Sequence, residues 1–152
     1  MSSILSSDLS PLVGSWRLLS VEATFTGTGE RIATFGPAPS GRMVLTQAGR
    51  ITFLITKSNR QPPANDAARA VLFNETIAYS GEVRSDESGQ FITTVDISLF
   101  PEEVGIEKLR HFTLDGDRLI IRRPEQTSRV TQGRQVRSDL VWIRDDLTST
   151  TI

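Results

Sequence analysis

Residues 12–22 read LVGSWRLLSVE, and this stretch decides how the rest of the chain is interpreted. From Trp16 onward, neighbouring side chains alternate between two faces with the period of two that is typical of a β-strand. Apolar residues fall on both faces, which is typical of a barrel wall around a filled or ligand-holding interior. One face carries Trp16, Leu18, Ser20, Glu22 and Thr24, and the other carries Arg17, Leu19, Val21, Ala23 and Phe25.

The sequence beyond this stretch predicts further short strands joined by hairpins. Residues 42–46 and 51–56 flank a short link that contains Gly49, and Asp115-Gly116 separates two alternating apolar runs. Such turn residues favour tight connections between antiparallel neighbours, and about eight to nine strands are expected in all. We therefore predict an all-β fold with a single antiparallel up-and-down β-barrel.

One segment favours a helix. Asp66–Asn74 is rich in alanine, which has a high helix propensity, and Asn65 or Asp66 is suited to cap its N-terminus. A helix of about two turns is marginal by itself and has to pack against the remaining fold. Two positions stay open for it, across the mouth of the barrel as a lid or against its outer wall.

Length and composition limit the domain organisation and the partners. The chain has 152 residues and a formal net charge of −1, so it lacks the basic field that binding to nucleic acid or an anionic membrane requires. We expect neither partner. We predict a flexible N-terminus over residues 1–11, one barrel domain over residues 12–145, and a flexible tail over residues 146–152.

The compartment is inferred from two further features. The chain has no cysteine, so its fold uses no disulfides and suits a reducing compartment. The N-terminal MSSILSSDLS has neither a basic region nor an apolar run of the length that a signal peptide needs. Both features favour a cytoplasmic location.

Several blocks of the sequence resemble those of a small lipocalin-like domain family. Gly14-Ser15-Trp16 matches the G-x-W motif in the first strand of lipocalins. The other blocks are FGPAPSGRMVLT, IAYSGEV, SLFPEEVG, LDGDRL and the closing LVWIR, and together they cover most of residues 12–144.

The resemblance implies an up-and-down barrel with an apolar calyx. It also implies that Arg144, from the final strand, packs over Trp16 at the closed end, in a structural role. The chain departs from secreted lipocalins in lacking cysteines and a signal peptide, so extracellular transport does not carry over. Some barrels of this general type are cofactor-free cyclases or isomerases in natural-product pathways.

Three residues are candidates for acid–base or electrostatic catalysis. His111 is the only histidine, but it lies outside the barrel if Phe112, on the opposite face of its strand, fills the interior. Tyr79 is the only tyrosine, and inside a calyx its phenol would donate a hydrogen bond to a carbonyl or enolate, the alternative being a packing role. Glu22 would gain a raised pKa if it pointed inward, whereas a salt bridge near the rim is the alternative.

The remaining candidate residues concern ligand binding. The expected contacts with a ligand are Leu18, Ser20, Met43, Phe53, Tyr79, Phe112, Leu140 and Trp142. A basic stretch near the C-terminus would either clamp an anionic substrate or form a solvated strand edge and loop. We favour the solvated edge and loop. The stretch comprises Arg122, Arg123, Arg129, Arg134 and Arg137. With one histidine and no cysteine, no metal site is predicted, and no cofactor is expected.

Three functions are compatible with these features. The first is binding of a small hydrophobic or amphipathic metabolite in the barrel interior, with a homodimer as an alternative to a monomer. The second is a cofactor-independent cyclase or isomerase that acts on a polyketide or terpenoid-like substrate. The third is an interaction module with a filled interior, which would lack a pocket of roughly 300 Å³. Convergence of two or more ionisable side chains inside the barrel would favour the enzyme.

Overall fold

The computed structural model describes residues 8–85, 87–127 and 135–145. Nine strands, one α-helix and two 3-10 helices form this part of the chain. The strands are β1 (Gly14–Phe25), β2 (Arg31–Ile32), β3 (Ser40–Leu45), β4 (Arg50–Thr56), β5 (Thr76–Ser85), β6 (Gln90–Ser98), β7 (Glu107–Asp115), β8 (Arg118–Thr127) and β9 (Gln135–Arg144). The helices are α1 (Asp66–Asn74) and the 3-10 helices Ser10–Leu12 and Pro101–Glu103.

The strands close into an antiparallel barrel. Each strand from β3 to β9 pairs with the next along the chain, and β1 pairs with both β3 and β9. The two-residue β2 pairs only with the end of β1. Eight strands therefore form the wall, and the predicted up-and-down barrel with one α-helix is confirmed for the part of the chain that the structure describes.

Helix α1 has the predicted bounds, and the side chain of Asn65 accepts a 2.8 Å hydrogen bond from the Ala68 backbone N–H as its N-cap. The helix connects β4 to β5 and has no buried residue. Its contacts come from its C-terminal end, where the Phe73 ring meets the edge of Phe100 with centroids 4.9 Å apart. Next to that end, Lys57 and Glu75 form a 3.1 Å ion pair.

The predicted alternation along β1 is wrong beyond Leu18. A β-bulge lies between Leu18 and Ser20, where β1 gains one residue relative to β9. Because side chains alternate with a period of two, one extra residue exchanges the inward and outward faces of everything that follows. Trp16 and Leu18 are buried before the bulge, and the buried positions after it are Val21, Ala23 and Phe25.

The barrel interior is packed at the end where β1 begins and β9 ends. Leu9 and Leu12, which precede the first strand, are fully buried against Trp16 there, and Met43 and Trp142 extend the same core. Ordered packing thus begins before residue 12, within the segment for which flexibility was predicted. Among the described residues, no helix has the length and apolar character that crossing a membrane requires.

The arginine expected at this closed end is in place. The Arg144 guanidinium lies over the Trp16 ring, with Cζ 4.3 Å from the ring centroid. It also donates hydrogen bonds to the carbonyls of Pro11 (2.8 Å) and Val13 (3.2 Å), just before β1. Trp16 Nε1 donates to the Leu12 carbonyl at 2.9 Å. This end of the barrel is therefore plugged by side chains and backbone.

Candidate functional site

A cavity of about 260 Å³ occupies the opposite half of the barrel. It is lined by residues from the end of β1 and the start of β5, β7 and β9, which meet at one end of an up-and-down barrel. The Asn74 side of helix α1 and the loop residue Phe35 border it as well. The helix thus reaches the cavity wall only through Asn74, its last residue.

The lining divides into an apolar and a polar set. The apolar residues lie on the barrel-facing sides of four strands, and the bulge in β1 turns Val21 and Ala23 inward. The apolar set includes Val21, Ala23, Phe53, Ile55, Ile121 and Leu140. The polar set carries ionisable groups and hydroxyls, and its main members are Tyr79, Glu103, Lys108, Arg110, Arg123 and Ser138. A lining in which apolar side chains meet a set of convergent polar groups is typical of small-molecule sites.

Lys108 and Glu103 form an ion pair inside this polar set. Lys108 Nζ lies 3.1 Å from Glu103 Oε2, and the two side chains are only 14% and 28% exposed. Glu103 Oε1 in turn accepts a 2.9 Å hydrogen bond from Ser98 Oγ. Burial lowers the pKa of the Lys108 ammonium, and Glu103 partly opposes this effect. The carboxylate therefore holds a desolvated cation at the cavity wall.

Tyr79 lies beside this ion pair. Lys108 Nζ is 4.6 Å from the centroid of the Tyr79 ring, and the Phe53 ring packs against the same tyrosine with centroids 5.1 Å apart. Burial raises the pKa of the Tyr79 phenol, while the nearby positive charge of Arg110 acts in the opposite direction. The phenol is consequently a neutral hydrogen-bond donor at ordinary pH.

Three of the eight predicted ligand contacts line the cavity, namely Phe53, Tyr79 and Leu140. Leu18, Met43 and Trp142 are instead buried in the packed half of the barrel. The ring of Trp142 touches that of Phe53 from below, with centroids 5.9 Å apart. These side chains make the floor on which the cavity rests.

The other two predicted contacts also lie off the cavity. Phe112 is partly buried and packs on the core beside Phe91, with ring centroids 6.0 Å apart. Ser20 follows the β-bulge and is opposite Val141 in the sheet. The one-residue insertion at Leu19 therefore removes Ser20 from the face to which its spacing assigned it.

Two of the three catalytic candidates are not brought to the cavity. Glu22 is on the outer face after the bulge, where its carboxylate pairs with Arg31, so the rim salt bridge is the reading that the structure supports. His111 is on the face of β7 opposite Lys108, Arg110 and Phe112. Only Tyr79 lies where the chemistry was expected.

Of the four charged residues that line the cavity, three were not among the candidate residues, and the fourth, Arg123, was considered only as part of the basic stretch. Lys108 and Arg110 share the β7 face of Phe112, so the alternation that placed Phe112 inside was a signal for both. Arg123 alternates with Ile121 on β8 and lines the cavity, contrary to the reading of its basic stretch as solvated. Glu103 comes from the second 3-10 helix and has no periodic signal.

The rest of that basic stretch has other surroundings. Arg122 is on the outer face and forms a bidentate pair with Asp139, at 2.8 and 3.1 Å. Arg137 is exposed on β9. Arg129 and Arg134 lie outside the described residues. Within the described ranges, no group of three or more metal-ligating side chains comes together.

A closed antiparallel barrel with one plugged end and one internal cavity defines a class of protein that typically binds small molecules inside the barrel. The chain belongs to the lipocalin-like domain family, whose model matches residues 13–145. This match spans the whole barrel.

Two solved structures are similar in fold. A redesigned β-barrel has 14% sequence identity and a TM-score of 0.45, covering 95% of this chain and 100% of that chain. The Rv2717c protein of M. tuberculosis also has 14% identity and a TM-score of 0.45, with coverage of 93% of this chain and 99% of that chain. Among curated proteins, none matches this sequence.

Proposed function

We propose that this protein binds a small amphipathic metabolite in the open half of its barrel. The observation that carries the proposal is the cavity of about 260 Å³, with an apolar depth and a cluster of polar groups on its wall. The lining and not the volume separates this site from a module with a filled interior, because about 260 Å³ is below the limit of roughly 300 Å³ set for such a module. The volume lies just under the roughly 300 Å³ at which drug-sized sites begin, which favours a ligand with few heavy atoms.

Two sets of side chains support the proposal, one for each end of an amphipathic ligand. Phe53, Ile55 and Leu140 supply an apolar surface for a hydrocarbon portion. Tyr79 and Lys108 supply hydrogen-bond donors that would fix the orientation of a polar end. Because an apolar surface gives most of the affinity and a few polar groups give orientation, this division suits an amphipathic molecule. A cytoplasmic location remains part of the proposal.

Titration with the neutral fluorescent dye Nile red tests this function. We expect saturable binding to one site and displacement of the dye by alcohols and carboxylates of short to medium chain length. The reading fails if the folded protein gives no saturable signal, or if no member of the series displaces the dye. Ile97→Ser, at an exposed apolar position on the outer wall, is the matched control and is expected to leave dye binding unchanged.

A second function is favoured by one observation, the convergence of Tyr79, Lys108 and Glu103 on the cavity. Such convergence was the feature expected of a cofactor-independent cyclase or isomerase. A buried phenol that donates to a carbonyl oxygen would stabilise the enolate formed when the Glu103 carboxylate accepts a proton from the adjacent carbon. A polyketide or terpenoid-like substrate of a natural-product pathway would present such a carbonyl.

Incubation with linear polyketide thioesters and linear terpenoid aldehydes, followed by chromatography and NMR, tests the enzyme. We expect Tyr79→Phe and Lys108→Met to slow product formation, by about 100-fold or more for a positioned donor. Arg122→Gln, on the outer face, should leave the rate unchanged. Absence of any conversion, or an unchanged rate in Tyr79→Phe, would remove the catalytic reading and leave the binding protein.

A further inference from the structure

We propose that Lys108 binds an aldehyde covalently, as an imine formed between its Nζ atom and the carbonyl carbon of a ligand inside the barrel. The inference rests on the proposed binding function and adds to it a reactive group and a class of ligand, a small apolar aldehyde. The chain has only two lysine side chains that could react in this way, Lys57 and Lys108.

The two lysines have the same kind of partner in different surroundings. Lys57 Nζ and Lys108 Nζ each lie 3.1 Å from an oxygen of a glutamate. The side chain of Lys57 is 42% exposed, whereas that of Lys108 is only 14% exposed. Lys108 lines the cavity and Lys57 does not. A carbonyl compound that is bound in the cavity therefore meets one lysine amine, that of Lys108.

The surroundings of Lys108 favour the uncharged amine, which is the form that attacks a carbonyl carbon. Burial lowers the pKa of the Lys108 ammonium. The positive charges of Arg110 and Arg123 act in the same direction, and Glu103 opposes them. The Tyr79 ring also faces the amine, with its centroid 4.6 Å from Nζ. A lysine that is desolvated in an apolar pocket or lies beside other cations is an activated nucleophile.

Glu103 is placed to move the protons of the reaction. Its Oε2 lies 3.1 Å from Lys108 Nζ, and a 2.9 Å hydrogen bond from Ser98 Oγ to Oε1 orients the carboxylate. The carboxylate accepts a proton from the ammonium. The free amine then attacks the aldehyde carbon, and a proton passes from nitrogen to oxygen to give a carbinolamine.

Loss of water completes the reaction. Glu103 returns its proton to the carbinolamine oxygen, which leaves as water while the carbon–nitrogen double bond forms. The product is a protonated imine, and the Glu103 carboxylate compensates its charge as it does that of the ammonium. One aldehyde and one lysine ammonium thus give one protonated imine and one water, with no oxidant or reductant.

The rest of the cavity suits the remainder of such a ligand. Phe53, Ile55 and Leu140 supply an apolar surface for its chain, and the volume of about 260 Å³ suits one chain of short to medium length. An aldehyde carbon carries a hydrogen where a ketone carries a second carbon group, so it is the less hindered target for the amine. Exclusion of water by the apolar lining also protects the imine against hydrolysis.

Reductive trapping of octanal on the full chain tests the inference. Sodium cyanoborohydride transfers a hydride to the imine carbon and leaves a stable secondary amine, which mass spectrometry detects. Peptide mapping separates the label on Lys108 from that on Lys57 and on the α-amino group. Lys57 is the internal control, because it has an equivalent ion pair outside the cavity.

Two variants complete the design. Lys108→Arg keeps a cation beside Glu103 but cannot form an imine, and Lys57→Arg is its matched control. Circular dichroism and thermal unfolding verify that each variant folds. If Lys108→Arg does not fold, the mapping of the label on the wild-type protein decides.

We expect Lys108 of the wild-type protein to be labelled about ten-fold or more faster than Lys57, because binding holds the carbonyl carbon beside one amine. The rate should saturate with octanal, and octanol should slow it by competing for the cavity. Lys57→Arg should be labelled at Lys108 as the wild type is. Lys108→Arg should lose this label and still bind Nile red.

Two results would overturn the inference while the proposed function stands. The first is displacement of Nile red by octanal with no label on Lys108. The second is labelling of Lys57 as fast as that of Lys108 in a protein that binds the dye, which would show that the cavity does not direct the reaction. If Nile red gives no saturable signal and octanal does not label Lys108 of the folded protein, the proposed binding function fails together with this inference.

Discussion

The Arg144 guanidinium covers the Trp16 indole with Cζ 4.3 Å from the ring centroid, and so joins the end of the last strand to the start of the first. The same group donates to the carbonyls of Pro11 and Val13 and forms an ion pair with Asp117 at 3.2 Å. One side chain thereby holds the N-terminal segment, the β7–β8 turn and the seam between β1 and β9 together. The plugged end therefore lies opposite the half of the barrel that holds the cavity.

Replacement of Arg144 should measure the strength of this plug. Arg144→Ala removes a cation over an aromatic ring and charge-assisted hydrogen bonds to two carbonyls, so we expect a loss of about 2 kcal/mol or more in the free energy of unfolding. Arg144→Lys should cost less, since an ammonium keeps the charge but loses the planar fork. Urea unfolding monitored by tryptophan fluorescence gives both values. Equal stability of Arg144→Ala and wild type would show that the contact does not stabilise the fold.

Gly41 allows β3 to approach Leu18 closely. A Cβ at this position would lie 2.8 Å from Leu18 Cβ and 2.9 Å from Leu18 Cδ2. We expect Gly41→Ala to destabilise the protein by about 1–3 kcal/mol, as overpacking does. Gly27→Ala is the matched control, because a Cβ there meets nothing within 4 Å. Thermal unfolding should separate the two variants, and a stable Gly41→Ala protein would contradict the close packing.

Tyr79 can be titrated without interference, because it is the only tyrosine of the chain. Burial raises the pKa of its phenol, so the midpoint of tyrosinate absorbance should lie above the ordinary value of about 10 in folded protein and near it in urea. The raised pKa implies that stability is retained below about pH 10 and falls as the pH rises toward the folded-state pKa. Tyr79→Phe should remove this alkaline loss. A midpoint at the ordinary value would contradict burial of the phenol.

Asp96 should make the outer wall sensitive to acid. A hydrogen bond from Arg50 holds the pKa of Asp96 below its usual value, with a second one from Ser80 Oγ at 2.8 Å. Its stabilising effect is present above about pH 4 and is lost as the pH falls through the lowered pKa. Asp96→Asn should therefore weaken the fold near neutral pH and differ less from wild type in acid. Urea midpoints across this range test it, and a difference independent of pH would contradict the assignment.

The parts of the fold that local sequence determines could be predicted. Helix α1 has its predicted bounds because its cap and its helix-forming residues are adjacent in the chain. The Asp115-Gly116 turn forms the β7–β8 hairpin for the same reason. The contact between Arg144 and Trp16 is long-range, so its prediction came from the family resemblance and not from local sequence.

The candidate site depended on information that alternation alone does not contain. The extra residue near Leu19 turned Glu22 outward, and a bulge of this kind becomes visible only when β1 is paired with β9. On β7 the alternation was correct, but it left open which face was internal, so Arg110 was passed over while its neighbour His111 was considered. Glu103 reaches the cavity from a 3-10 helix through tertiary packing that has no sequence period.

The central claim is tested most directly by measuring dye binding to a variant whose cavity is filled by a larger side chain. Ala23 is buried and lines it, whereas Thr24 is the next residue along β1 and points away. We predict that Ala23→Phe lowers the affinity for Nile red about ten-fold or more, while Thr24→Phe leaves it unchanged. Ser138→Leu provides a second filling variant, and thermal unfolding shows that each variant is folded. Wild-type affinity in a folded Ala23→Phe protein would contradict binding inside the barrel.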